Sequence, residues 1–248
     1  HAPITQPRPA EETHVATAAP AQAVRRFRSP HTRYPHAQFL SNGAYVAIVT
    51  NAGGGASLCR GKAVARYRED ATCDPGSQFL YLRDVRSGAV WSATYQPTTR
   101  EPEEYLVVFQ AEQAVFRRKD EGIASQLDIA VSTEDDVEVR RLSLTNLSDR
   151  PRELEITSYG EIALAAPAED LAHPAFGKLF VQTEYLPDSA ALVCSRRPRS
   201  SDEGGIFAMH VLSVEGRMQG PVEWETDRLR FLGRGRSVRD PAALDGRP

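Results

Sequence analysis

The sequence predicts an all-β protein, a large antiparallel β-sandwich, on three observations. Apolar and polar residues alternate at period two over many short runs. Turn signals separate those runs at short intervals, and helical periodicity is nearly absent. Alternation of this kind follows from strand geometry, in which successive side chains point to opposite faces of a sheet.

Taken in order, residues 1–36 form a Pro/Ala-rich arm or linker, and residues 37–248 form the sandwich domain. Pro3, Pro7, Pro9, Pro20, Pro30 and Pro35 forbid a continuous helix in the arm. The first strand signal is Gln38-Phe39-Leu40, closed by the turn signal Ser41-Asn42-Gly43. Strand-like runs follow over 44–50, 79–84, 90–95, 105–109, 127–132 and 153–157, then over 178–185, 192–195, 207–214 and 222–226. In the last of these Trp224 shares a face with Val222 and Thr226, which predicts a core position. Val137 and Val139 stand in one phase and Leu142 and Leu144 in the other, so a β-bulge is expected at Arg140-Arg141. One short helix is predicted within 163–171, limited by Pro167.

A chain of 248 residues with 41% hydrophobic and 25% charged residues can bury a full core without staples. The 30 basic and 33 acidic residues are mixed along the chain, and a net charge of −3 excludes nucleic acid as the main partner and argues against a polybasic membrane anchor. Cys59, Cys73 and Cys194 have neither zinc nor CxxC spacing, so a reducing, cytoplasmic setting is expected. No apolar run approaches the ~18 residues that a membrane helix needs, so no direct membrane segment is expected. The chain opens on His1 with no apolar signal core after it, which reads as a processed product or an excised piece of something longer.

The candidates for chemistry are dispersed. Asn51 to Ser57 holds three successive glycines, but Ala63 follows Gly61-Lys62, so the Walker pattern fails. The loop serves either a close backbone approach or a ligand lying over the glycines. His1, His14, His31, His36, His173 and His210 form no metal-ligand spacing, so no metal and no cofactor are expected. Glycoside chemistry needs two carboxylates at a set separation. Asp70, Asp74, Glu161, Asp170 and Glu184 qualify by type, and the sequence singles out no pair. Asn146-Leu147-Ser148 is read as a turn.

Several longer motifs occur in a telling order. They include Arg66-Tyr67-Arg68-Glu69-Asp70, Phe79-Leu80-Tyr81-Leu82-Arg83-Asp84, Thr157-Ser158-Tyr159-Gly160-Glu161 and Ala172-His173-Pro174-Ala175-Phe176. Arg196-Arg197-Pro198-Arg199-Ser200 and the segment from Glu225 to Arg236 complete them. From about residue 33 onward the chain resembles the amino-terminal sandwich domain of glycoside hydrolase family 94, formerly glycosyltransferase family 36. Within that family the likeness is to the carboxy-terminal region of cyclic β-1,2-glucan synthases.

The resemblance implies a β-supersandwich of the galactose-mutarotase-like kind that precedes a helical linker and an (α/α)6 barrel, and it implies that residues 37–248 are that domain truncated at its carboxy-terminal end. The family's general-acid Asp lies on that barrel, so no residue of this chain inherits a catalytic role and the isolated chain is expected to be inactive. The implied partners are a β-glucan or glucoside substrate, the helical-barrel catalytic domain of a parent chain, and a second copy in a homodimer. The parent is expected in the cytoplasm or attached to the inner membrane. Candidate carbohydrate-binding residues are Tyr159, Glu161, His173, Phe176, Arg66 and Asp70. The alternative for Glu161 and His173 is that they satisfy buried backbone groups. Ala56, where the family has tyrosine, and Cys59 and Tyr67, where it has tryptophan, weaken any sugar contact made there. The expected function is a non-catalytic domain that shapes the glucan site of the barrel. A stand-alone carbohydrate-binding module and an independent glycoside-processing enzyme are the alternatives.

Overall fold

A computed structural model describes residues 24–66, 77–172, 177–198 and 204–246. The fold is all-β, and every strand pairing is antiparallel. One five-stranded sheet runs in the order β1 (Arg25–Phe27), β8 (Glu104–Phe109), β9 (Gln113–Asp120), β10 (Ile123–Val131), β11 (Glu138–Asn146). A second runs β13 (Ile162–Ala165), β5 (Lys62–Ala65), β4 (Gly55–Cys59), β3 (Tyr45–Thr50), β2 (Ala37–Ser41). Two three-stranded sheets complete it: β12 (Leu154–Gly160), β6 (Gln78–Asp84), β7 (Val90–Ser92), and β14 (Val181–Leu186), β15 (Ala191–Arg196), β16 (Ile206–Val211).

The main core draws on the inward phase of these strands: Leu40, Val49, Trp91, Phe109, Phe116 and Leu127 are all buried in it. Strand β6 is buried on both faces, which explains its unbroken apolar run. Leu82 enters the main core, whereas Phe79 and Tyr81 enter a second cluster with Phe231, Leu232, Val238 and Leu244. Tyr81 also donates to the Val238 carbonyl at 2.6 Å, so the carboxy-terminal segment is clamped onto β6. On β9, Arg118 and Asp120 form a fully buried pair, with Nε–Oδ2 at 2.6 Å and Nη2–Oδ1 at 2.7 Å. The same guanidinium donates to the Thr94 and Arg100 carbonyls at 2.5 and 3.2 Å, tying the loop after β7 to the sheet.

The glycine segment proves to be a close backbone approach. A Cβ at Gly55 would stand 1.8 Å from the Ile48 carbonyl oxygen, and one at Gly53, whose φ is +96°, would stand 2.2 Å from Thr94. That space is filled by the protein itself, which leaves no room for a ligand over these two glycines.

Five expectations need correction. Arg25–Phe27, inside the stretch read as an arm, is strand β1, paired with Val107–Phe109. No bulge occurs at Arg140-Arg141, since β10 and β11 keep one register from Ile123↔Asn146 to Val131↔Glu138. The two apolar phases belong to two faces, with Val139 51% exposed on the outer one. Pro167 opens the helix rather than limiting it: α1 is Pro167–Ala172, and Ala163 to Ala165 are strand. A second helix, α2 (Arg228–Leu232), was not expected; Asp227 caps it by accepting from the backbone N–H of Leu229 and Arg230. The 222–226 run forms no strand, and Trp224 is 52% exposed, stacked on Tyr185 at a ring separation of 3.7 Å.

Candidate functional site

Glu161 occupies the single-residue break between β12 and β13. Its backbone carbonyl accepts from the Arg66 N–H at 2.7 Å, which fixes the end of β5 against it. Its side chain is 9% exposed and gathers four partners. Tyr159, two residues earlier on β12, donates its hydroxyl to Oε1 at 2.7 Å. Arg228, the first residue of α2, donates Nε to the same oxygen at 2.8 Å. On Oε2, Lys178 Nζ stands at 3.4 Å and Arg66 Nη1 at 3.5 Å.

Arg66 extends the network to Asp170 of α1 through two parallel bonds, Nε to Oδ2 at 2.6 Å and Nη2 to Oδ1. Both side chains are below a tenth exposed, so each charge depends on the other for the interactions it has lost with water. The phenol of Tyr159 lies over the Phe231 ring, with centroids 5.0 Å apart and planes at 24°. Three segments distant in sequence, carrying Arg66, Lys178 and Arg228, therefore meet on one carboxylate beside Tyr159 of the adjoining strand.

Burial by itself pushes the Glu161 carboxyl up, but hydrogen bonds from Arg228 and Tyr159 and the charge of Lys178 outweigh it, and its pKa falls to about 2. Burial, and then the Glu161 charge, push the Tyr159 phenol well above its ordinary value. Burial pushes the Lys178 ammonium down. A carboxylate held ionised in this way has no proton to give a leaving oxygen at neutral pH, so Glu161 does not suit the role of general acid. Its chemistry is positional: it orients Lys178 and Arg228, whose side chains are 41% and 34% exposed.

Three of the six residues expected to meet carbohydrate, Arg66, Tyr159 and Glu161, thus come together. Asp70, His173 and Phe176 lie outside the described residues. Tyr159 lies within strand β12, and only Glu161 separates that strand from β13. Sequence reasoning missed Lys178 and Arg228. Lys178 is one of only three lysines in the chain, and Arg228 directly follows the helix cap Asp227; each signal is legible in retrospect. Asp170 qualified only as one carboxylate among several.

Among the described residues, no group of three or more His, Cys, Asp or Glu side chains is arranged to hold a metal ion. No helix among them is long and apolar enough to cross a membrane.

The profile of the glycosyl hydrolase 94 supersandwich domain matches residues 21–248. The cyclic beta-(1,2)-glucan synthase NdvB of Rhizobium meliloti is 34% identical over 222 residues, covering 90% of this chain and 8% of that protein. Solabiose phosphorylase of Paenibacillus borealis is 25% identical over 169 residues, covering 68% of this chain and 21% of that protein. The N,N'-diacetylchitobiose phosphorylase of Vibrio proteolyticus is 23% identical over 221 residues, covering 87% of this chain and 27% of that protein. The chain therefore spans between 8% and 27% of the length of these three relatives.

Proposed function

This chain belongs to the glycosyl hydrolase 94 supersandwich family, and from that premise we propose that it is a non-catalytic, carbohydrate-associated domain of a glucan synthase or glycoside phosphorylase. Its task is to complete and shape the glucan site of an adjoining (α/α)6 barrel. The names of the relatives support a glucoside substrate for the parent enzyme.

One observation carries the reading: the Glu161 hub. Side chains from four segments converge on an ionised carboxylate that no titration near neutrality can switch. They hold the half-exposed donors of Lys178 and Arg228 at a surface. Fixed N–H donors of this kind suit the hydroxyls of a sugar or the groups of a facing domain. Lys178 follows Phe176 by two positions, so the expected His173 to Phe176 contact adjoins one of these donors in the chain.

The test is kinetic and uses the parent enzyme with its barrel. Lys178→Ala should lower kcat/KM for β-1,2-glucan about tenfold or more, the scale of one lost charged contact, while the melting temperature falls by only a few degrees, the scale of one half-exposed ion pair. Lys178→Arg should restore part of the loss. Unchanged kinetics with a lowered melting temperature would make the hub a structural clamp and nothing more. The isolated chain, given β-1,2-gluco-oligosaccharide and phosphate, should release no glucose 1-phosphate.

A further inference from the structure

The outer face of the β14–β15–β16 sheet carries a trough whose two walls differ in chemistry. Residues directly opposite one another on neighbouring strands share a face. The pairings therefore align Gln182, Ser195 and Phe207, then Glu184, Val193 and Met209, then Leu186, Ala191 and Val211. The middle strand contributes the small side chains of Ser195 and Val193, which form a floor, and the floor closes at the fully buried Ala191. Phe207 and Met209 rise on one side, and Gln182 and Glu184 on the other. A cavity of about 420 Å³ lies over the Ser195–Val193 end of this floor, lined by Gln182, Thr183, Glu184, Val193, Ser195 and Phe207, and Met209 stands on the next aligned row beside it.

Phe207 is 69% exposed and Met209 64%. The ring is seated on a glycine, since a Cβ at Gly205 would come within 3.0 Å of Phe207 Cε2. Across the trough, among the described residues, no other side chain takes up the polar groups of Gln182, Thr183, Glu184 or Ser195.

We propose that this trough binds a glucan chain, with sugar C–H faces on the Phe207 ring and hydroxyls toward Gln182, Glu184 and Ser195. An apolar partner would strip water from Gln182 and Glu184 and return no hydrogen bond, which is costly. A nucleic acid would meet a carboxylate and, in all nine aligned positions, no Lys or Arg to neutralise phosphate. A neutral polyol with one apolar and one hydroxylated aspect satisfies both walls at once. The inference rests on the carbohydrate-associated reading above, but places this contact on residues that take no part in the Glu161 hub.

The experiment uses the 248-residue chain labelled with ¹³C at its methionine methyl groups, of which there are only two, Met209 and Met218. Titrated with linear β-1,2-gluco-oligosaccharides, the Met209 signal should shift saturably while the Met218 signal stays in place. Phe207→Ala should weaken binding about tenfold, the scale of one lost ring contact. Val193→Arg, which fills the floor, should abolish it, and Lys178→Ala should leave it unchanged. Three outcomes overturn the proposal: no shift at Met209, binding indifferent to both trough variants, or binding lost in Lys178→Ala. None of these alters the kinetic test of the hub, so the two readings can fail separately.

Discussion

The Nε of Arg228 donates to Oε1 of Glu161 at 2.8 Å, joining two residues 67 positions apart. This bond fastens the amino-terminal end of α2 to the break between β12 and β13. Beside it, Phe231 stacks on Tyr159, so one short helix presents an aromatic contact to β12 and a charged one to the residue that follows it. The hub is therefore both a fastening of the carboxy-terminal segment and the base on which Lys178 and Arg228 are displayed.

Stability should depend on the Glu161 charge, with a definite sign. Its folded pKa of about 2 lies below the ordinary value of 4.5, so the contribution is fully present above the unfolded pKa. It is lost as pH falls through the folded value. Glu161→Gln should cost about 3 kcal/mol at pH 7, from a shift of this size. In urea titrations the gap between the two proteins should close between about pH 4.5 and 2. A gap that stays constant across that window would mean the carboxylate is not held ionised by its partners.

The Arg118–Asp120 pair should behave as a buried ion pair. Arg118→Met strands a carboxylate and frees two carbonyls, and should cost about 3–5 kcal/mol. Adding Asp120→Leu should recover part of that loss, because no unpaired charge then remains. A double variant that is less stable than the single one would refute this account of the pair.

Two glycines should separate space from backbone conformation. Gly55→Ala brings a methyl group against the Ile48 carbonyl and should destabilise by more than about 2 kcal/mol. Gly61, at φ +77°, has nothing within 4 Å of a Cβ, so Gly61→Ala carries only the left-handed strain, about 1 kcal/mol. Equal losses in denaturant unfolding would contradict the contrast.

The two tryptophans should report opposite environments. Trp91 is fully buried, while Trp224 is 52% exposed on Tyr185. Iodide should quench one component of the native emission, and Trp224→Phe should remove that component. Trp224→Ala should cost no more than about 1 kcal/mol, the scale of a lost stack. Emission that is wholly shielded in the native protein would return Trp224 to the core.

Much of this architecture was legible in the chain because strand burial leaves a direct trace. The alternation of β10 and the unbroken run of β6 follow from which faces of each strand are covered. The order of the longer motifs carried the family as well. Two of the errors share one cause. A period-two pattern says which residues share a face but not whether that face is covered, so Val139 and Trp224 look interior and are exposed. The register of β11 was misread for the same reason, with an outward valine taken for a slip in phase.

What the sequence determined by itself was the fold class, the family, and Glu161, Tyr159 and Arg66 as residues of interest. Only the tertiary structure decided that these three share one carboxylate with Lys178 and Arg228, and that Asp170 holds Arg66 from behind. It alone decided that the small residues of β15 floor a trough. Periodicity is a local property, set by the geometry of one strand. A charge network is set by which distant segments the packing brings within about 3 Å, the reach of a hydrogen bond, and no spacing along the chain encodes that.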